Sequence, residues 1–187
     1  MAKSDKRQLI MTAALQLFAE RGFHGAPTSA IAAGAGVGVG TIYRYFKDKD
    51  SLVHQLCTEL HQHYQQTILA ELDPRLPPRE RLEQIFAVLL RIFIAAPDEF
   101  RFMELYYYSS YATASASRFP EEDSIVFQTI REAREQGLCK DAPPRVLEAL
   151  AWGPLVALAK EHSNRNLVVD QKIMALTVRA SWDAIRE

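Results

Sequence analysis

Residues Thr28–Lys49 read TSAIAAGAGVGVGTIYRYFKDK, and their order predicts two short helices around a glycine turn. Thr28 is placed to cap the first helix with its side-chain oxygen, and Ile31, Ala32 and Ala35 form a narrow apolar face. Gly36 permits the sharp turn before Val37. The second helix, from about Gly38 to Phe46, is expected to bury Val37, Ile42 and Phe46 and to turn Val39, Thr41, Tyr43, Arg44 and Tyr45 in other directions. That is helix-turn-helix geometry. A cluster of Thr, Tyr, Arg and Lys offers no enzyme chemistry, but it suits phosphates and base edges.

Working outward, LFAERGF at Leu17–Phe23 ends an amphipathic helix expected from Ser4 to Arg21, with Ile10, Ala13, Ala14, Leu17 and Phe18 on its apolar face. Its early Lys3, Lys6 and Arg7 either touch phosphates or form a solvated helix start. Asp48 is placed to cap a long helix to about Leu72, striped by Leu52, Leu56, Leu60, Tyr64, Thr67 and Ile68.

Leu17–Phe23 together with Thr28, Ser29, Ile31, Ala32, Ala35, Gly36, Val37, Gly40, Thr41, Tyr43, Tyr45, Phe46, Lys49 and Leu52 resembles the DNA-binding domain of the tetracycline-repressor (TetR) family. The resemblance implies an all-α protein with an N-terminal helix-turn-helix domain, residues 1–48, and a helical effector-binding and dimerisation domain, residues 49–187. It implies that Thr28, Tyr43, Tyr45 and Lys49 hold phosphates while Ser29, Val39, Gly40, Thr41 and Arg44 face the groove. Arg44 is the candidate reader of guanine. Two positions depart from the family pattern: Gly38 stands where a capping Ser is frequent, and Val39 where a polar or basic side chain is common. Val39 can pack only on an apolar feature such as a thymine methyl.

The family also implies that the long helix carries a ligand signal and that the effector cavity lies among the central helices. Phe100–Tyr111 holds six aromatic residues, which read either as core packing or as the wall of a small-molecule site. Phe86, Phe93, Met103, Tyr107, Tyr111 and Trp152 form the candidate lining, with Glu104 as a partner for a cationic effector.

The helices expected beyond Pro78 run through RLEQIFAVLLRIFIAA up to Pro97, Glu121–Gln136, Pro143 to about His162, and Asp170–Ile185. Gly153–Pro154 should bend or split the third of these. Ala112–Pro120 reads as a loop. Val146, Leu150, Leu155 and Leu158, with Ile173, Leu176, Val178 and Trp182, serve either an intramolecular core or a four-helix bundle across the twofold axis of a homodimer.

Composition bounds the alternatives. At 187 residues and 48% hydrophobic, the chain has material for a substantial core. No apolar run is long enough to span a membrane and no signal segment follows the start, so a cytoplasmic protein with reduced Cys57 and Cys139 is expected. Net charge is −1, yet residues 1–50 carry seven Lys and Arg against four Asp and Glu, and the remainder fifteen against nineteen. The basic excess lies with the helix-turn-helix.

Gly34, Gly36, Gly38 and Gly40 match neither dinucleotide nor P-loop spacing, and no strand precedes them. No nucleophile, base and orienting acid stand together, so no catalysis is expected. His54, Cys57 and His61 share one side of the long helix as conceivable metal ligands, but three residues along one helix converge poorly on one ion. No metal or cofactor is expected. The expected partners are an operator in double-stranded DNA, a small lipophilic or aromatic effector and a second copy of the chain, with no membrane.

Overall fold

Short polar side chains and prolines set where the helices of this chain begin. In the computed structural model, which describes residues 3–114 and 124–187, Asp48 Oδ1 accepts from Ser51 N at 2.7 Å while Ser51 Oγ accepts from Asp48 N at 3.1 Å. This reciprocal cap starts α4 (Lys49–Glu71). Asp170 Oδ1 accepts from Ile173 N at 2.9 Å and starts α10 (Gln171–Ile185). Pro78 and Pro144 occupy the first positions of α5 (Pro78–Ala95) and α9 (Pro144–Arg165), where no backbone N–H is missed.

The remaining helices among the described residues are α1 (Lys3–Gly25), α2 (Thr28–Gly34), α3 (Val39–Tyr43), α6 (Pro97–Tyr107), α7 (Ser110–Ala114) and α8 (Ile125–Glu135). Among the described residues no strand forms beyond an isolated bridge between Cys139 and Arg186.

Several boundaries differ from expectation, each for a local reason. The first helix kinks at Gly22 (φ 68°, ψ 174°) and resumes for one turn, which carries Phe23 into the core. Pro27 rather than Thr28 is the residue before α2, and no side chain caps it. Helix α9 runs unbroken through Gly153 and Pro154, at the loss of one backbone donor. Ala112–Ala114, expected in a loop, belong to α7, whereas 115–120 of that loop lie outside the described residues. The start of the expected Glu121 helix, 121–123, also lies outside them; the described helix begins at Ile125, capped by Ser124.

The chain packs as two compact units, one comprising Met1–Gln62 and Asp98–Ser115, the other His63–Pro97 and Ala116–Glu187. In the first, α1 packs on α2 and α2 on α3 around Ile10, Met11, Ala14, Phe18, Ile31 and Ile42. Helix α6 joins this core through Phe102, whose ring lies 6.0 Å from Phe18 and 5.8 Å from Phe23. Each such side chain, fully buried, contributes about 1.5–3 kcal/mol.

In the second unit α5, α8, α9 and α10 pack on one another around Leu82, Ile85, Phe86, Ile130, Leu155 and Trp182. Ala151 and Ala159, fully buried on α9, let neighbouring helices approach closely. Arg81 on α5 pairs with Glu132 on α8. The turn after α8 is tied to the chain end by Lys140 N donating to Ile185 O at 2.9 Å and Glu187 N to Leu138 O at 3.2 Å.

Candidate functional site

The turn between α2 and α3 is built by backbone. Gly36 adopts φ 63°, while its N–H donates to Ala33 O at 3.1 Å and Val37 N donates to Ala32 O at 3.0 Å, closing α2. Gly38, extended at φ −75° and ψ 149°, then launches α3, with Thr41 N bonded to Gly38 O at 2.8 Å. Ile42 and Phe46 are buried and fix the rotation of α3. Val39, 40% exposed, Gly40, Tyr43, 52% exposed, and Arg44, just after α3, stay open to solvent. Ser29 is exposed on α2, and Thr28, Thr41 and Tyr45 are half-buried. Eight of the nine residues proposed from sequence for this surface thus lie wholly or partly open on α2, α3 and the residues just after α3.

Lys49 is the ninth and sits differently. Its Nζ donates to the carbonyl of Phe23 and lies 5.8 Å from the Phe18 ring centroid. Burial lowers its pKa from the usual lysine value, against the opposing pull of Asp50. The ammonium is engaged inside the unit, holding α4 to the end of α1. Arg7 behaves alike: it pairs with Glu59, donates to Gln55 Oε1 at 3.1 Å and covers Phe46 at 5.6 Å from the ring centroid. Spacing alone could not tell such inward cations from phosphate-facing ones. The side chain of Lys3 lies outside the described residues.

Behind the helix-turn-helix, in the same unit, α4 meets α6 and α7 through a polar seam. His54 Nδ1 and the Tyr106 hydroxyl are 2.9 Å apart, and the His54 ring lies edge-on to Tyr106 and Tyr111. Tyr111 OH donates to Asp50 Oδ1 at 2.8 Å; burial first, then that bond and the charges of Asp50 and Asp48, push its phenol up to about 12. Burial pushes the Cys57 thiol up to about 12 as well, against a hydrogen bond with Tyr106. His54 and Cys57 are therefore occupied with Tyr106. Among the described residues no group of three or more His, Cys, Asp or Glu is gathered as metal ligands would be.

The effector residues proposed from sequence divide between the units. In the second unit Phe86 and Phe93 are buried, and Phe93 stacks on Trp152 at 6.0 Å and meets Tyr64 edge-on at 6.2 Å. In the first, Met103 is buried, Glu104 and Tyr111 are half-buried, and Tyr107 is 52% exposed. Tyr106, absent from the proposed set, is the buried tyrosine: it follows Phe102 by four residues on the inner face, while Tyr107 is rotated one position outward. A groove of about 480 Å³ between α5 and α10 is lined by Arg79, Glu83, Ala87, Met174, Val178 and Arg179, none from the effector set.

The dimer residues divide too. Leu155, Val178 and Trp182 are buried within the second unit, so their apolar surface is spent inside one subunit. Val146, Leu150 and Leu176 are exposed, Leu176 at 64%, and Leu158 and Ile173 are half-buried.

A three-helix N-terminal arrangement whose third helix is clamped by Ile42 and Phe46 while its far face stays open defines a helix-turn-helix DNA-binding protein. The comparisons give the same class and narrow it. The model for bacterial regulatory proteins of the tetR family matches residues 10–56, and that for the tetracyclin repressor-like C-terminal domain matches residues 77–186. This chain belongs to the TetR family of transcriptional regulators, not to an enzyme family.

Among relatives, it is 34% identical over 91 residues to the HTH-type transcriptional repressor DhaR of Mycobacterium sp. (strain GP1), covering 48% of this chain and 46% of that protein. The matched stretch thus spans about half the length of that relative. Among solved structures, a TetR family transcription regulator from Marinobacter aquaeolei VT8 aligns with TM-score 0.88 and 23% identity over 98% of this chain and 97% of its own. One from Shewanella sp. PV-4 aligns with TM-score 0.84 and 26% identity over 97% and 98%. Among the described residues no helix is long and apolar enough to cross a membrane.

Proposed function

We propose that this regulator is a cytoplasmic homodimeric repressor that binds a palindromic operator and leaves it when a small lipophilic or aromatic effector enters the helical domain. The observation that carries the reading is the exposed set Val39, Gly40, Tyr43 and Arg44 on and just after α3, a helix anchored by buried Ile42. Arg44 reads a guanine, worth about 1–3 kcal/mol of discrimination. Thr28, Tyr43 and Tyr45 hold phosphates, and Ser29, Gly40 and Thr41 lie along the groove. Lys49 leaves this set because its ammonium is bonded to Phe23.

DNA recognition divides from effector binding and dimerisation near residue 48. Exposed Val146, Leu150 and Leu176 support pairing of α9 and α10 with a second copy, which sets two α3 helices roughly 34 Å or somewhat more apart, on successive major-groove faces. The aromatic pair Phe93–Trp152 supports an effector wall in the second unit. An effector acts only by binding the DNA-released arrangement more tightly than the operator-bound one. Repressor rather than activator is favoured by the name of the Mycobacterium relative.

The test is selection of bound duplexes from a random pool by the full chain at near-physiological salt, followed by sequencing and by sedimentation of the free protein. The reading expects an inverted repeat and a dimer. A folded protein that retains no preferred sequence would refute it.

A further inference from the structure

We propose that Val39 reads the 5-methyl group of a thymine in each operator half-site, making an apolar contact a specificity determinant of this regulator; the inference rests on the reading of α3 as the recognition helix. Three observations carry it. Val39 is 40% exposed at the start of α3, close to exposed Gly40, Tyr43 and Arg44, whereas Ile42, one turn further on, is 2% exposed. Its side chain has no donor or acceptor, so no base-edge nitrogen or oxygen can hold it. The thymine methyl is the apolar group that base edges offer in the major groove.

The neighbours sharpen the argument. Val39 is flanked by Gly38 and Gly40, and a Cβ built on either would meet nothing within 4 Å. No flanking side chain shields the isopropyl group or holds the backbone away from a base edge. A β-branched side chain is also stiff about χ1, so its methyls are presented with little rotamer freedom to lose on contact.

The experiment uses the full-length protein and the duplex it selects from a random pool. Each thymine of the half-site is replaced in turn by deoxyuridine, which lacks only the methyl, and affinity is read by fluorescence anisotropy for the native chain and for Val39→Ala. Burying one methyl predicts a roughly fourfold loss for one half-site and about the square of that for both, at one thymine position. In Val39→Ala, whose site is exposed and whose fold is checked by its helical circular dichroism, that loss should shrink towards none while the effect at other thymines is unchanged. An inverted repeat with no thymine whose deoxyuridine penalty depends on Val39 overturns this inference and leaves the DNA-binding regulator standing. Failure to select any sequence overturns both.

Discussion

Lys49→Met tests whether the cation at the start of α4 serves the fold or the DNA. Methionine keeps the apolar stem and removes the ammonium, which donates to the Phe23 carbonyl and lies 5.8 Å from the Phe18 ring centroid. A hydrogen bond from a charged donor contributes about 1.5–3 kcal/mol. The ring adds about 0.5–1 kcal/mol. Desolvation, which lowers the pKa of Lys49, cancels part of this, leaving roughly 1–2 kcal/mol. With a urea slope of about 2 kcal/mol/M, the unfolding midpoint should fall by roughly 0.5–1 M at fixed protein concentration. Because the ammonium is already engaged, the slope of log affinity against log salt on operator DNA should not change. A phosphate contact would add about 0.9 to that slope for every phosphate neutralised. An unchanged midpoint together with a slope reduced by nearly one per subunit would show that Lys49 turns to the DNA and that the structural role argued for it is wrong.

Three further outcomes are expected. Asp170→Ala removes the oxygen that accepts from Ile173 N and should lower stability by about 1 kcal/mol in denaturant titration, whereas Asp170→Asn should largely restore it. Tyr111 has its phenol raised from 10 to about 12, by burial first and then by its bond to Asp50, so the stability it contributes is full below pH 10 and is lost as pH rises towards 12; Tyr111→Phe should flatten stability against pH across that window, and an unaltered alkaline profile would contradict the raised phenol. Leu176→Lys, at a side chain 64% exposed, should leave helicity intact but shift sedimentation towards monomer, and a variant that stays dimeric would remove Leu176 from the proposed interface.

Much of the architecture was legible because it depends on local chemistry. Asp48 starts its helix as expected of a carboxylate four residues before an apolar stripe, and of that stripe Leu52, Leu56, Leu60, Tyr64 and Ile68 are buried as its period requires while Thr67 is half-buried. What local chemistry could not decide was direction. The pattern placed Lys49 and Arg7 at the right end of the molecule, but which way a long cation bends depends on Phe23, Phe46 and Glu59, residues distant in sequence. The same limit applies to Tyr106 and Tyr107: the aromatic run was plain, yet one residue of helix rotation decides which ring bonds to His54 and which meets solvent. Proline in α9 shows propensity overridden, since packing of Ala151, Leu155 and Ala159 keeps the helix intact across Pro154.

The glycines of the turn differ in how freely they can be exchanged. Gly36 is held by its backbone at φ 63°, so a side chain there would strain the turn on which the domain depends. Gly38 and Gly40 face open space, and a helix-forming residue in place of Gly40 would gain up to about 1 kcal/mol of helix propensity. Positions 38, 39 and 40 therefore form a writable tract beside a fixed one. New side chains could alter DNA preference without first destabilising the protein, so a lineage or an engineer could diversify it here while the rest of the chain stays unchanged.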